Sequence, residues 1–176
     1  SYSADKRQRS AVTGEVISSG STSMNFRIFW DGDLQEELFD GGKIDKWNGN
    51  GTSRVYINGK NPYDYNSSST CNGSKSTPNL QADILGDWRE EIILWSSNDN
   101  ATLNVFTTNT SSNFRVPTLM HDHTYRMGVA WQNVAYNQPP HIGYYLPDSV
   151  GGRIYQAELS GEIEQTIELG DSITPI

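Results

Sequence analysis

The chain has 176 residues, enough for one domain with a sizeable core, and its 21 acidic against 13 basic residues give a formal charge of −8. A pI near 4.7 and the lack of any basic run exclude a nucleic-acid backbone as the main partner, because phosphate binding needs a clustered basic surface. A mean hydropathy of −0.62, with no apolar stretch near the roughly 18 residues of a membrane-spanning helix, excludes a helical membrane protein, while five Trp, nine Tyr and five Phe predict a folded chain.

Polar Ser18 to Ser23 reads as a loop, and Phe26, Ile28 and Trp30 then alternate with neighbours in the period-2 pattern of a strand over Met24 to Trp30. Asp31-Gly32-Asp33 ends it. Leu34 to Phe39, close to Gly41-Gly42, offers at most a turn or two of helix. Lys43 to Trp47 and Arg54 to Asn58 read as a hairpin around Asn48-Gly49-Asn50-Gly51, since Asn and Gly tolerate positive φ. Ser67 to Ser69 is a second polar loop. Gln81 to Leu85, Glu91 to Ser96 and Thr102 to Thr107 predict a three-stranded meander, with Gly86-Asp87-Trp88-Arg89 as the first turn. Met127, Val129 and Trp131 alternate as a further strand would over Arg126 to Ala135, with a short helix or an irregular segment around Asn133 as the alternative. Gly151-Gly152 marks a boundary, after which Ile163, Thr166 and Ile167 suggest a closing strand. The fold is therefore all-β with short antiparallel strands and long loops: a sandwich, barrel or propeller.

Asp83, Asp87, Glu90 and Glu91 fall within one turn around Gly86. Calcium takes six to eight hard oxygen ligands, so this acidic turn suits Ca²⁺, although its spacing is not that of an EF-hand; a solvated acidic turn next to Arg89 is the other reading. Asp31 and Asp33, followed by Glu36 and Glu37, form a weaker copy. Cys71-Asn72-Gly73-Ser74-Lys75 reads as an exposed loop in which Gly73 admits close approach, Asn72 and Ser74 supply donors and acceptors, and Lys75 adds positive charge. That set suits a carboxylated sugar, or else is an ordinary turn. Tyr136 precedes Asn137-Gln138-Pro139-Pro140-His141, where two prolines hold a phenol, two amides and an imidazole together. A phenol beside a cation such as Lys75 can act as general acid or base; packing at a loop corner is the plainer role. His121, His123 and His141 lack zinc-site spacing, and single Cys71 closes no internal disulfide. Asn-x-Ser/Thr matches at Asn50, Asn66, Asn72, Asn100 and Asn109 are expected by chance in this composition. No signal peptide is visible at Ser1, so the chain reads as a mature, trimmed or internal piece.

Cys71 to Lys75, the block Leu-Gln-Ala-Asp-Ile-Leu-Gly-Asp-Trp-Arg-Glu-Glu over Leu80 to Glu91, Thr118 to Asp122, and Tyr125 to His141 together resemble the C-terminal part of family 11 rhamnogalacturonan lyases. Phe26 to Asp33 and Ile44 to Gly49 fit the same pattern, so the likeness runs from about Asn25 to Asp148. It implies a secreted or surface enzyme, placed extracellularly, in the periplasm or on the cell surface. It further implies an eight-bladed β-propeller that binds several Ca²⁺ ions and cleaves rhamnogalacturonan I of pectin by β-elimination at galacturonate. Carried onto this sequence, substrate contacts fall on Asn72, Gly73, Ser74, Lys75 and Tyr136, and catalysis on Lys75 and Tyr136. Ser74 stands where the family usually has Thr, and His123 where many relatives have Pro. Because family catalytic domains are several times longer, residues 1–148 are expected to be the C-terminal portion of the propeller, partnered by its N-terminal remainder. Residues 149–176 are then a closing strand or the start of a further segment. A noncatalytic pectin-binding β module is the alternative.

Overall fold

The computed structural model describes residues 7–19, 25–99, 101–132, 134 and 138–150. Tyr136, Asn137, the predicted boundary at Gly151-Gly152, the closing strand near Ile163 and most of the Ser18 to Ser23 loop lie outside them.

Two four-stranded antiparallel sheets carry the fold. The first has the order β3(Phe26–Ile28), β4(Glu37–Asp40), β5(Lys43–Trp47) and β6(Thr52–Val55), each strand pairing with the next. In the second, β9(Glu91–Ser96) is central: β10(Leu103–Phe106) lies on one side, and β7(Ser68–Ser69) and β8(Leu80–Ala82) share the other. The predicted hairpin at Asn48 to Gly51 and the β8-β9-β10 meander are both present. A small hairpin of β1(Gln8–Arg9) and β2(Val16–Ser18), which no alternation foretold, precedes them with mostly exposed residues. Both large sheets are open rather than closed into a barrel.

Alternation decides how the sheets meet. Phe26, Ile28, Phe39 and Ile44 project from one face of the first sheet onto Ile92, Leu94 and Phe106 of the second, forming the main core. Phe29, Leu34, Trp88, Leu119, Tyr125 and Leu146 form a second core beneath the connecting turns. Leu34 and Trp88 reach it from left-handed backbone, with φ of 70° and 68°. That conformation costs a bulky residue about 1–2 kcal/mol, which burial of its side chain offsets.

The two turns are built alike. Gly32-Asp33-Leu34-Gln35-Glu36-Glu37 and Gly86-Asp87-Trp88-Arg89-Glu90-Glu91 each follow one strand and open the next. In the first, Glu37 accepts hydrogen bonds from the Trp30 and Asp31 amides; in the second, Glu91 accepts them from the Ile84 and Leu85 amides. A buried carboxylate thus satisfies the amides of its own turn in both copies. Leu34 to Phe39 is not helical as a result: it is this turn followed by β4.

The predicted strand from Arg126 to Ala135 is corrected to a helix, α1(His123–Trp131). Asp122 caps it by accepting from the Thr124 and Tyr125 amides at 3.1 and 3.2 Å. The inward residues are Tyr125 and Val129, four apart, whereas the alternating Met127 and Trp131 that mimicked a strand are 45% and 63% exposed. Beyond the helix, Gln132 exchanges two hydrogen bonds with the Gln81 backbone, locking α1 to the outer edge of β8.

Candidate functional site

The Asn72 to Lys75 loop is closed at its base by a two-residue bridge, Cys71 opposite Thr77, with reciprocal amide–carbonyl bonds of 2.6 and 3.1 Å. Thr77 is fully buried, while Asn72, Gly73, Ser74 and Lys75 are all exposed. Asn72 and Gly73 lie in left-handed backbone, with φ of 60° and 54°, and lead into a single 3-10 turn over Gly73–Lys75. Asn72 Nδ2 donates to Thr77 Oγ1 at 2.9 Å, so the loop is held by its own anchor. Asn25 Nδ2 donates to the Lys75 carbonyl at 2.8 Å and to Asp40 Oδ1 at 2.9 Å, fixing the loop against the first sheet. The loop therefore carries amide, hydroxyl and ammonium groups on an exposed and defined backbone. Burial raises the pKa of the Cys71 thiol, which keeps it protonated and unsuited to nucleophilic attack.

The segment after Tyr136 is positioned by packing. Pro139 and Pro140 are buried, and Pro140 lies so close to α1 that a Cβ on Gly128 would sit 2.9 Å from Pro140 Cβ. His141 follows, with its Nδ1 accepting from the Arg27 guanidinium; Arg27 also pairs with Glu36. Burial and then the neighbouring guanidinium lower the His141 pKa, favouring neutral imidazole. His121 and His123 are exposed at the start of α1 and join no acidic cluster among the described residues.

The four carboxylates predicted to hold calcium are each engaged by groups of the fold. Both Glu90 oxygens are engaged, Oε1 by the Tyr125 hydroxyl at 2.7 Å and Oε2 by the Phe29 amide and Gln81 Nε2. Both Glu91 oxygens are engaged too, by the Ile84 and Leu85 amides and by Thr107. Asp83 Oδ2 accepts from the Trp88 and Leu119 amides and from Thr118, and Asp87 pairs with Arg89. Of their oxygens, only Asp83 Oδ1 is buried without a partner. Burial raises the carboxyl pKa of Glu90 to about 7, and that of Glu91 as well. Burial and the adjacent Glu90 push the Tyr125 phenol up, so it stays protonated and donates to Glu90.

The weaker copy is the one that converges. Asp31, Asp33 and Glu37 place carboxylate oxygens within 4.8 Å of one another, a donor set able to hold a metal ion. Lys46 Nζ meets all three, at 2.6 Å from Asp33 and 3.1 Å from Glu37. Burial opposes the charge on Lys46, but its bonds to Asp31, Asp33 and Glu37 override that and raise its pKa. Burial, followed by repulsion from Asp31, lifts Glu37 to about 7. Sequence spacing gave the two turns the same acidic content. The strand opposite decides the difference: Lys46 faces Glu37 across the first sheet, and Thr107 faces Glu91 across the second.

Comparison with known proteins gives a consistent picture. The model for "Rhamnogalacturonan lyase family 11, C-terminal domain" matches residues 1–153. The chain is 48% identical over 143 residues to rhamnogalacturonan endolyase YesW of Bacillus subtilis (strain 168), covering 80% of this chain and 22% of that protein. It is 45% identical over 143 residues to rhamnogalacturonan exolyase YesX of the same organism, covering 76% and 22%. Its structure is similar to the crystal structure of YesW with a TM-score of 0.65 at 43% identity, covering 76% of this chain and 22% of that one. For the rhamnogalacturonan lyase of Bacillus licheniformis the TM-score is 0.61 at 47% identity, covering 76% and 21%. The chain thus spans about a fifth of the length of the relatives it matches.

Proposed function

The chain belongs to rhamnogalacturonan lyase family 11, matching its C-terminal domain, and on that premise we propose that it works as part of a polysaccharide lyase cleaving rhamnogalacturonan I by β-elimination. The observation that carries this reading is the anchored Asn72 to Lys75 loop, whose amide, hydroxyl and ammonium groups sit on a fixed backbone and are of the kinds that suit a carboxylated sugar.

Elimination at galacturonate removes the C5 proton and expels the sugar linked through O4, leaving a C4–C5 double bond. The C5 proton becomes acidic only when charge building on the adjacent carboxylate is stabilised. Lys75 and Tyr136 are the proposed pair for these tasks: between them they neutralise the carboxylate and accept the proton. Asn72, Gly73 and Ser74 orient the sugar through amide and hydroxyl groups. An eight-bladed propeller is the proposed architecture of the working unit. Its support is two face-to-face antiparallel sheets, each with the same acidic turn between two of its paired strands, as successive blades would have. The N-terminal remainder of that propeller is the proposed partner, and apolar residues left exposed here, Trp131, Val134 and Leu85 among them, are suited to contact it. Calcium would be held by Asp31, Asp33 and Glu37 with Lys46 displaced, and would neutralise charge between an acidic protein and an acidic polymer. The proposed polymeric substrate supports a place outside the cytoplasm as part of this reading: extracellular, periplasmic or on the cell surface.

The test is a complete lyase chain containing these residues, supplied with rhamnogalacturonan I and followed by absorbance of the unsaturated product. Lys75→Ala is expected to lower turnover at least 100-fold, in line with general acid–base contributions of roughly 10²–10⁴. Undiminished turnover in Lys75→Ala removes Lys75 from the chemistry. The coverage of about a fifth of the relatives favours a second reading for the isolated chain, a noncatalytic pectin-binding module. Binding without product absorbance by this chain alone would identify it.

A further inference from the structure

Two cavities meet on either side of Arg27. One, of about 290 Å³, is bordered by Asn25, Glu36 and His141; the other, of about 450 Å³, by Gln35, Tyr144 and Tyr145. Asn25 is the residue that fixes the Lys75 carbonyl, and it stands just before β3, two positions from Arg27. At about 3.3 Å rise per residue, Arg27 lies about 7 Å further along the strand, so the cavities extend the surface around the Lys75 loop.

The lining has two kinds of chemistry. Arg27 is 28% exposed and is oriented by Glu36 on one side and His141 on the other. With its Nδ1 accepting from Arg27, neutral His141 carries its proton on Nε2, a second donor on an exposed residue that borders the smaller cavity. Planar guanidinium groups match carboxylates, and a neighbouring imidazole N–H adds direction. Tyr144 and Tyr145 are 42% and 57% exposed, and Gln35 Nε2 donates to the Tyr145 hydroxyl at 3.0 Å. Their apolar rings with polar tips suit the face of a deoxy sugar. An anion site beside an aromatic site matches a polymer in which galacturonate alternates with rhamnose.

We propose that Arg27, His141 and Tyr144 form a second carbohydrate subsite that grips a galacturonate–rhamnose unit away from the scissile bond. It rests on the lyase reading given above and adds binding residues to it. Glu36 opposes an incoming anion, so the grip is shared between the Arg27 and His141 donors and the Tyr144 ring.

The experiment uses the complete lyase with rhamnogalacturonan I oligosaccharides of graded length, comparing wild type, Arg27→Gln and Tyr144→Ala. Loss of a charged hydrogen bond predicts a KM for long oligosaccharides raised roughly tenfold in Arg27→Gln, with kcat retained and with the effect vanishing on the shortest cleavable substrate. Tyr144→Ala removes an exposed side chain without breaking the Arg27–Glu36 pair, and the same length-dependent rise in KM is expected. An active wild type with KM unchanged in Tyr144→Ala on every length overturns the subsite. A wild type without lyase activity overturns the functional reading instead.

Discussion

Glu90→Gln separates the charge of Glu90 from its shape. The carboxyl is 3% exposed, and burial raises its pKa from the ordinary 4.5 to about 7. The folded chain therefore binds this proton more tightly than the unfolded chain. The stabilisation is complete below about pH 4.5 and is lost as pH rises through about 7. At roughly 1.4 kcal/mol per pH unit, the full loss is about 3 kcal/mol, most of it between pH 5 and 8. Glutamine keeps the volume and removes the titration. It also turns an amide NH₂ toward the Phe29 amide or the Tyr125 hydroxyl, at a pH-independent cost of about 1–3 kcal/mol. Urea unfolding of wild type and variant, followed by emission of the buried Trp30 and Trp88, measures both effects. The variant is expected to be less stable than wild type at pH 5, with the gap closing by about 2–3 kcal/mol at pH 8. Using the difference between the two proteins cancels other titrating groups, Glu37 among them. Parallel stability curves would refute the reasoning, because they would mean that Glu90 titrates alike in the folded and unfolded chains.

Gly128→Ala would gain up to about 1 kcal/mol of helix propensity in an open site, yet its Cβ would lie 2.9 Å from Pro140 Cβ, well inside ordinary contact. A net loss of about 1–2 kcal/mol by urea unfolding is expected, and a more stable variant would show that the contact yields freely. Lys46→Ala removes the ammonium among Asp31, Asp33 and Glu37, and terbium luminescence should then report a lanthanide or calcium affinity at least tenfold above wild type. Equal affinity in the two proteins would show that Lys46 does not compete with a metal there.

Much of the fold was legible in residues close in sequence. The Asn48 to Gly51 turn and the strands flanking it, or Glu91 to Ser96 with its partner, follow from alternation and turn chemistry that act over a few positions. The exposed loop at Asn72 to Lys75 was legible for the same reason: it lacks apolar side chains, so nothing draws it inward. The alternation of Met127, Val129 and Trp131 imitates a strand, whereas helical spacing puts Val129 with Tyr125 on the buried face and Met127 with Trp131 on the exposed one. The choice of helix rests on the Asp122 cap and on Tyr125 entering the second core.

The acidic residues show the division most clearly. Sequence alone determined that two similar Gly-Asp turns exist, that the chain is predominantly β, and that it resembles the C-terminal part of family 11 rhamnogalacturonan lyases. It ranked the Asp83 to Glu91 turn above the Asp31 to Glu37 turn as a cation site, whereas the carboxylates that converge are Asp31, Asp33 and Glu37, because convergence depends on what stands opposite on another strand. Tertiary structure set Lys46 across from Glu37 and Thr107 across from Glu91, and it spent Glu90 and Asp83 on buried amides and hydroxyls. It also brought Arg27 and His141, far apart in the chain, to one hydrogen bond. Those outcomes are fixed by strand register and burial, which join distant residues and leave no local trace in the sequence.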